Sequence, residues 1–307
     1  MNIKNKYYVE SFLNKILFYY KIEDILYTGH TKFQKVDIVR VSLLGKTVFL
    51  DEKIQSAECD EFIYHESLVH PALLLHSNPE YIYIAGGGEG ATLREVLKHW
   101  SVKKVRMCDI DEEFVNLCKV YLPEWHRNSF DDERAEIVYK DARKDIESLS
   151  DDSIDIYISD LTEPIEGGPS ALLFTEDYFK ILDKKLKKGG ISVFQAGSTV
   201  IYYYDFILSL YKTLKEIFPS VFIYEIFVPS FHMSWGFVIS FKENLDLKEL
   251  LNRLENKREN EIFKYLNFLN PDYVKKIFFL PEYFKSSLNT KGRILTDKNP
   301  FIWEGDV

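Results

Sequence analysis

Cysteine is scarce in this sequence, since only Cys59, Cys108 and Cys118 occur among its 307 residues. The three show no CxxC spacing and have no histidine partners at zinc-site spacing, so the sequence predicts neither a metal site nor a disulfide framework. We therefore expect free cysteines, which fit the reducing environment of the cytoplasm.

Long hydrophobic runs are absent as well. No run of about 18 apolar residues occurs, so the sequence predicts no transmembrane helix. The N-terminal segment is interrupted by Lys4, Lys6, Glu10 and Lys15 and lacks the cleavage site of a signal peptide. These features favour a cytoplasmic protein that has no membrane partner.

Basic residues are outnumbered, with 39 Lys and Arg against 48 Asp and Glu and a net charge of −9. A basic surface for nucleic acid is therefore disfavoured. An acidic protein attracts cationic metabolites, although net charge by itself is more simply explained by solubility. With 46% hydrophobic residues, the chain has ample material for a folded core.

The sequence of the first part of the chain predicts a small domain over residues 1–58. Residues 1–30 are interpreted as a helix and a connector, and residues 36–55 as a β-hairpin that turns around Gly45. The pattern changes at residue 59, so a second domain is expected over 59–307, with a helical extension from about 242.

The second part alternates short apolar runs with segments of helical periodicity. Strands are predicted by the runs 81–85, 105–110, 135–139, 154–160 and 190–197. This alternation is typical of a parallel sheet with helices on both faces. The closely spaced runs 221–229 and 235–241 must then be antiparallel. The expected fold class is α/β, a Rossmann-like, methyltransferase-type sheet after a small N-terminal β-stranded domain.

A glycine-rich loop, GGGEG at 86–90, follows the first of these runs. Gly86 and Gly88 allow a tight turn and a close approach of the backbone to a nucleotide. Asp109 ends the next run, where a carboxylate can accept hydrogen bonds from ribose hydroxyls. Asp111 is interpreted as the cap of the following helix.

Asp141 and Ala142 come just after the third run. An aspartate at this edge of the sheet can accept a hydrogen bond from the adenine amino group, and capping of the next helix is the alternative. Together the three strand ends predict an adenosine site, which NAD, S-adenosylmethionine or its decarboxylated form would each fit.

Glu89 inside the glycine loop separates these ligands. A dinucleotide would place its pyrophosphate there, and S-adenosylmethionine its carboxylate, and a negative side chain repels both. Decarboxylated S-adenosylmethionine has only an ammonium at that position. The alternative is that Glu89 points away and serves the positive N-terminus of the next helix.

A second group of acids follows the strand predicted at 154–160. Asp160 ends the strand, and Glu163 and Glu166 lie in an irregular loop after it. Carboxylates at intervals suit a polyamine, whose amines have pKa values of roughly 10. We place Asp160 as the group that orients the attacking amine and accepts its proton, with Tyr64 as a hydrogen-bonding partner. A solvated surface turn is the alternative.

These residues resemble those of the spermidine/spermine synthases, the polyamine aminopropyltransferases. The matching segments, from about residue 30 to 240, are LDEKIQSAECDEFIYHE, GGGEGATLREVLKH, CDIDEE, KDAR, SDLTEP and VPSF. The resemblance implies a homodimer or homotetramer that uses decarboxylated S-adenosylmethionine as a co-substrate and holds no tightly bound cofactor.

The resemblance also implies roles for single residues. Asp160 and Tyr64 correspond to the catalytic pair, and Glu89 to the acid that contacts the aminopropyl ammonium. The remaining cofactor-binding positions are Gln55, Gly86, Gly88, Asp109, Asp141 and Ala142.

Some positions depart from the spermidine synthase pattern. His65 replaces a common glutamine, Glu89 a common aspartate and Phe231 a common tyrosine. The pattern looks more like the thermospermine synthase branch, which implies spermidine as acceptor. His65, Glu163, Phe231 and Trp235 are then the acceptor-binding candidates, with Glu166 and Glu225 as anchors for a distal ammonium. Three alternatives stay open: a putrescine-using spermidine synthase, an S-adenosylmethionine-dependent methyltransferase, and a non-catalytic polyamine-binding protein.

Overall fold

A computed structural model describes residues 7–165, 168–288 and 290–303 of the chain. The strands in these ranges form two sheets, one of five strands and one of seven. None of the helices in the same ranges has the length and apolar character that a membrane span requires.

The first sheet is entirely antiparallel, with its strands in chain order. Its strands are β1 (Tyr7–Phe12), β2 (Ile16–His30), β3 (Lys35–Val41), β4 (Gly45–Leu50) and β5 (Lys53–Ala57). The hairpin predicted at 36–55 is therefore the second half of a larger sheet.

The helix predicted within residues 1–30 is wrong for the part that the structure describes, because residues 7–30 form two strands. In β2, Tyr20 and Ile22 are buried while Leu17 and Tyr19 are exposed. This two-residue period is the signature of a strand. Because β2 has apolar residues on both of its faces, this two-residue period cannot be seen in the sequence. The division of the chain at residue 58 stays a prediction.

The second sheet has the strand order β11-β12-β10-β9-β6-β7-β8. Its strands are β6 (Tyr81–Gly86), β7 (Lys104–Asp109), β8 (Ala135–Tyr139), β9 (Ile154–Asp160), β10 (Leu186–Ser198), β11 (Ser220–Val228) and β12 (Met233–Phe241). Strands β6 to β10 pair in parallel, and β12 pairs antiparallel with both β10 and β11. The predicted Rossmann-like sheet with an antiparallel hairpin is thus confirmed.

Helices cover both faces of this sheet. They are α1 (Glu61–Leu75), α2 (Ala91–Leu97), α3 (Glu112–Tyr121), α4 (Pro123–His126), α5 (Ala142–Glu147), α6 (Glu176–Lys185), α7 (Asp205–Lys215), α8 (Leu247–Glu255), α9 (Tyr273–Lys276) and α10 (Glu282–Leu288). Alternate residues of β6 point to opposite faces of the sheet. Ile82 and Ile84 pack in the hydrophobic cluster that includes α1. Tyr83 and Ala85 pack in the cluster that includes α6 and α7.

The C-terminal extension is tied to α1 by one buried carboxylate. The two oxygens of Glu66 accept backbone N–H bonds from Asn267, Phe268 and Leu269, at 2.7, 2.9 and 2.9 Å. Glu66 is fully buried. Without it, three N–H donors would lose their acceptor inside the protein, which is costly.

We predict that Glu66→Gln lowers the free energy of unfolding by about 1–3 kcal/mol, because the amide presents an N–H group where a donor already points. Urea denaturation of this variant and of Glu23→Gln, at an exposed position, measures the effect. Equal midpoints for both variants would contradict the anchoring role of Glu66.

Candidate active site

The parallel strands β6, β7, β8 and β9 end at a cavity of about 570 Å³. The edge of the sheet where several strands terminate is the usual binding position in open α/β folds. The N-terminal sheet supplies a further wall, through residues such as Phe12 and Ile54. Apart from the two proposed distal anchors, the site candidates from the sequence line this cavity: Gln55, Tyr64, His65, Gly86, Gly88, Glu89, Asp109, Asp141, Ala142, Asp160, Glu163, Phe231 and Trp235.

Asp160 is held by two hydroxyl groups. Tyr64 donates from its hydroxyl to Oδ1 at 2.8 Å, and Thr92 donates to Oδ2 at 2.6 Å. The carboxylate plane is therefore fixed, with lone pairs left to face the cavity. Thr92 was missed in the sequence, although it lies in the first turn after the glycine loop.

The glycine loop reaches Asp160 because Gly86 has no side chain. Gly86 pairs with Asp160 in register and has φ +78°. A Cβ atom at this position would lie 2.2 Å from the carbonyl oxygen of Asp160. The turn and the close strand contact both require glycine here.

Glu89 and Asp109 add two more carboxyl groups to the same cavity. Burial raises the pKa of Glu89 to about 7, with the charge of Asp160 adding to the shift and His65 opposing it. Burial likewise raises the pKa of Asp109 to about 6, against hydrogen bonds from the backbone N–H groups of Asp111 and Gly88. Such crowding of acids favours a cationic ligand, whose charge would restore ionisation.

His65 is oriented by a neighbouring ion pair. Its Nδ1 lies 2.8 Å from Glu61 Oε2 and 2.7 Å from the Glu61 carbonyl oxygen. Both are acceptors, so Nδ1 carries a proton. Glu61 in turn accepts two hydrogen bonds from Arg94, at 3.0 and 2.9 Å. The other ring nitrogen, Nε2, is thereby directed towards Glu89 Oε2, 3.9 Å away.

His65 carries a positive charge more readily than an isolated histidine. Burial alone would lower its pKa, but the hydrogen bond and charge of Glu61, together with Asp160 and Glu89, raise it. An imidazolium here offsets part of the negative charge of the cavity. A histidine that only filled space would not need this arrangement.

The adenine candidates have a structural role as well. Asp141 Oδ1 accepts from the backbone N–H of Arg143 and Lys144, at 2.9 and 3.4 Å, so it caps α5. Asp111 caps α3 through the N–H of Phe114, at 3.0 Å, as predicted. Asp141 nevertheless lines the cavity with Ala142, and its contact with adenine stays a prediction.

A further part of the cavity lining is rich in aromatic side chains. Phe231 and Trp235 lie with ring centres 4.8 Å apart. Glu163 Oε2 accepts a 3.4 Å hydrogen bond from Tyr203, which the sequence did not suggest, and Tyr203 stacks on Trp303.

Of the two residues proposed as anchors for a distal ammonium, the prediction for Glu225 is wrong. Its carboxylate accepts a hydrogen bond from Thr199, and it does not belong to the lining of the cavity in the described part of the chain. Glu166 lies outside the described residues.

Comparison with known families defines the class of this protein. A spermine/spermidine synthase domain matches residues 61–250, and a spermidine synthase tetramerisation domain matches residues 7–58. The chain belongs to the spermine/spermidine synthase family. It is an enzyme of the polyamine aminopropyltransferase type.

Individual relatives agree with this assignment. The polyamine aminopropyltransferase of Aeropyrum pernix is 46% identical over 219 residues, covering 71% of this chain and 69% of the relative. Thermospermine synthase ACAULIS5 of Arabidopsis thaliana is 38% identical over 265 residues, 85% of this chain and 77% of the relative.

Solved structures show the same architecture. A spermidine synthase crystallised with the transition state analogue AdoDATO superposes with a TM-score of 0.87 at 29% identity, covering 93% of this chain and 96% of that one. The spermidine synthase from Thermotoga maritima gives a TM-score of 0.85, also at 29% identity, with 93% and 95% covered.

We predict that Glu89→Gln stabilises the free protein more at pH 8 than at pH 5. The carboxyl group, 13% exposed, has a pKa of about 7 when folded and 4.5 ordinarily. Its contribution to stability is therefore lost as the pH rises between these values, by up to about 3 kcal/mol. Urea denaturation at both pH values measures the difference.

Glu23→Gln, at an exposed position, is the matched control for this charge change. A gain of equal size at pH 5 and pH 8 would contradict the assigned pKa of Glu89.

Proposed function

We propose that this enzyme transfers the aminopropyl group of decarboxylated S-adenosylmethionine to a polyamine and releases methylthioadenosine. The observation that carries the proposal is the position of Glu89, a carboxyl group that lines the cavity within the glycine loop. At this position it attracts the ammonium of the decarboxylated compound and repels the carboxylate of S-adenosylmethionine. Because a methyltransferase of this kind uses S-adenosylmethionine itself, the repulsion of its carboxylate by Glu89 also disfavours a methyltransferase.

The adenosine part is proposed to lie across the ends of β6, β7 and β8. Asp109 accepts hydrogen bonds from the ribose hydroxyls, and Asp141 with the backbone of Ala142 contacts the adenine. Gly86 and Gly88 let the backbone approach the ligand. Gln55 closes the cavity from the N-terminal sheet.

The transfer itself is a displacement at carbon. An acceptor ammonium first gives a proton to Asp160, which Tyr64 and Thr92 hold in place. The free nitrogen lone pair then attacks the methylene next to the sulfonium, and the C–S electrons return to sulfur. Methylthioadenosine leaves uncharged, so its departure needs no acid. The protein contributes mainly by positioning the amine and excluding water.

We predict that Asp160→Asn lowers kcat by about 10²–10⁴-fold, because an amide cannot accept the proton. The affinity for methylthioadenosine should change little. Steady-state kinetics and calorimetry measure the two effects. Thr92→Val, which removes one hydroxyl and leaves the carboxylate, is the control and should lose far less activity. A kcat near that of the unaltered enzyme would remove Asp160 from proton transfer.

Spermidine is proposed as the acceptor and thermospermine as the product. The cavity of about 570 Å³ with aromatic walls has room for a long aliphatic amine. Similarity to a thermospermine synthase supports the choice, and so do His65 and Phe231. The matched structures are those of spermidine synthases, so formation of spermidine from putrescine is the second candidate.

We predict a higher kcat/KM for spermidine than for putrescine. Chromatography of the products against thermospermine and spermine standards identifies the attacked amine. A tenfold preference for putrescine, about 1.4 kcal/mol in transition-state binding, would favour the second candidate. Agmatine is tested in parallel. Binding without turnover of any amine would indicate a non-catalytic polyamine-binding protein.

A homodimer or homotetramer is proposed as the assembly. The outer face of β1 and β2 exposes large apolar side chains, among them Tyr7 at 53%, Leu17 at 53% and Tyr19 at 60%. Contiguous exposed apolar surface of this kind favours contact with another chain. The same residues lie within the match to the tetramerisation domain.

A further inference from the structure

We propose that Trp303, in the C-terminal extension, binds the polyamine acceptor and helps select its length. This inference rests on the function proposed above. Trp303 lines the same cavity as Asp160 and Glu163. It lies beyond residue 250, where the match to the synthase domain ends, so the family comparison assigns it no role.

The backbone of Trp303 is fixed against the loop that follows Asp160. Its N–H donates to the carbonyl oxygen of Pro164 at 2.9 Å, and it forms a parallel bridge with Ile165. Along this loop Asp160 comes first, Glu163 next and the contact with Trp303 last. Glu163 also accepts a hydrogen bond from Tyr203, on which the indole of Trp303 stacks, so an acceptor that extends from Asp160 to Glu163 comes close to Trp303.

The indole ring is held as firmly as the backbone. It stacks on Tyr203 with ring centres 3.9 Å apart and planes 13° apart, and Phe301 packs edge-on at 4.9 Å. Phe12, from the first strand of the chain, lies 4.6 Å from Tyr203 on the same wall. Aromatic walls of this kind bind ammonium groups through their faces and methylene chains through apolar contact.

The segment that carries Trp303 is anchored along its length. Arg143 makes two hydrogen bonds to Asp297, at 2.9 and 2.7 Å, and Thr175 donates to the same carboxylate at 2.7 Å. The N–H of Glu176 donates to the carbonyl oxygen of Leu295 at 2.7 Å. These contacts fix the position of Trp303 in the folded protein.

The test uses the full-length enzyme with Trp303→Ala and Trp303→Phe. We expect Trp303→Ala to raise the KM for spermidine about tenfold and that for putrescine much less, because the shorter amine does not reach the indole. Trp303→Phe keeps an aromatic face and should recover part of the loss. The affinity for methylthioadenosine should stay unchanged in both variants.

Trp100→Ala is the matched control, since Trp100 is 87% exposed and lies away from this cavity. Spermidine should also quench tryptophan emission in the unaltered enzyme saturated with methylthioadenosine, and Trp303→Phe should remove most of that change. An unchanged KM for spermidine in Trp303→Ala would overturn the proposal. So would equal losses for spermidine, putrescine and methylthioadenosine, which would indicate a purely structural role.

The outcome is separable from that of the proposed function. If the unaltered enzyme turns over no polyamine, the proposed function fails. Quenching by spermidine that depends on Trp303 would then still show binding at the indole, and its absence would overturn the inference too.

Discussion

The candidate site depends on one guanidinium group that joins two helices. Arg94 of α2 binds both oxygens of Glu61 on α1, and its Nε donates to Glu95 at 2.8 Å. The glycine loop leads directly into α2, and α1 carries Tyr64 and His65. The pair Arg94–Glu61 therefore helps to fix the distance between the part of the cavity proposed for the nucleoside and the part proposed for the acceptor. A buried pair of this kind stabilises little by itself but fixes geometry, because either charge left alone would be costly.

The same pair adjusts the charge of the cavity. Glu89, Asp109 and Asp160 would repel each other if all were ionised without a cation nearby. The hydrogen bond and charge of Glu61 raise the pKa of His65 against the effect of burial, which favours a positive charge on the imidazole. The rest of the compensation comes from protonation of Glu89 and Asp109, whose pKa values are raised to about 7 and about 6, or from a cationic ligand. A site whose carboxyl groups outnumber its own cations attracts cationic ligands electrostatically before any specific contact forms.

Local signals were enough to predict the strand ends and the residues they carry. Asp109 and Asp160 each end a short run and Asp141 lies two residues after one, so their common position at one edge of a parallel sheet follows from topology. The N-terminal strands were not recognised, because exposed Leu17 and Tyr19 hide the alternation of β2. Thr92 and Arg94 were missed for a different reason: their partners are remote in the sequence, and nothing local to them identifies those partners. Trp303 is the extreme case, since its neighbours Pro164 and Tyr203 come from other parts of the fold.

The cavity draws its walls from distant parts of the chain, since Phe12 lies in β1 and Trp303 follows α10. During synthesis on the ribosome, the strand ends proposed to face the nucleoside emerge well before Trp303 does. The residues proposed to bind the nucleoside are therefore all synthesised before the wall proposed for the amine receives its final residue. The order of translation separates the two halves of the site in time, although the folded protein presents them as a single cavity.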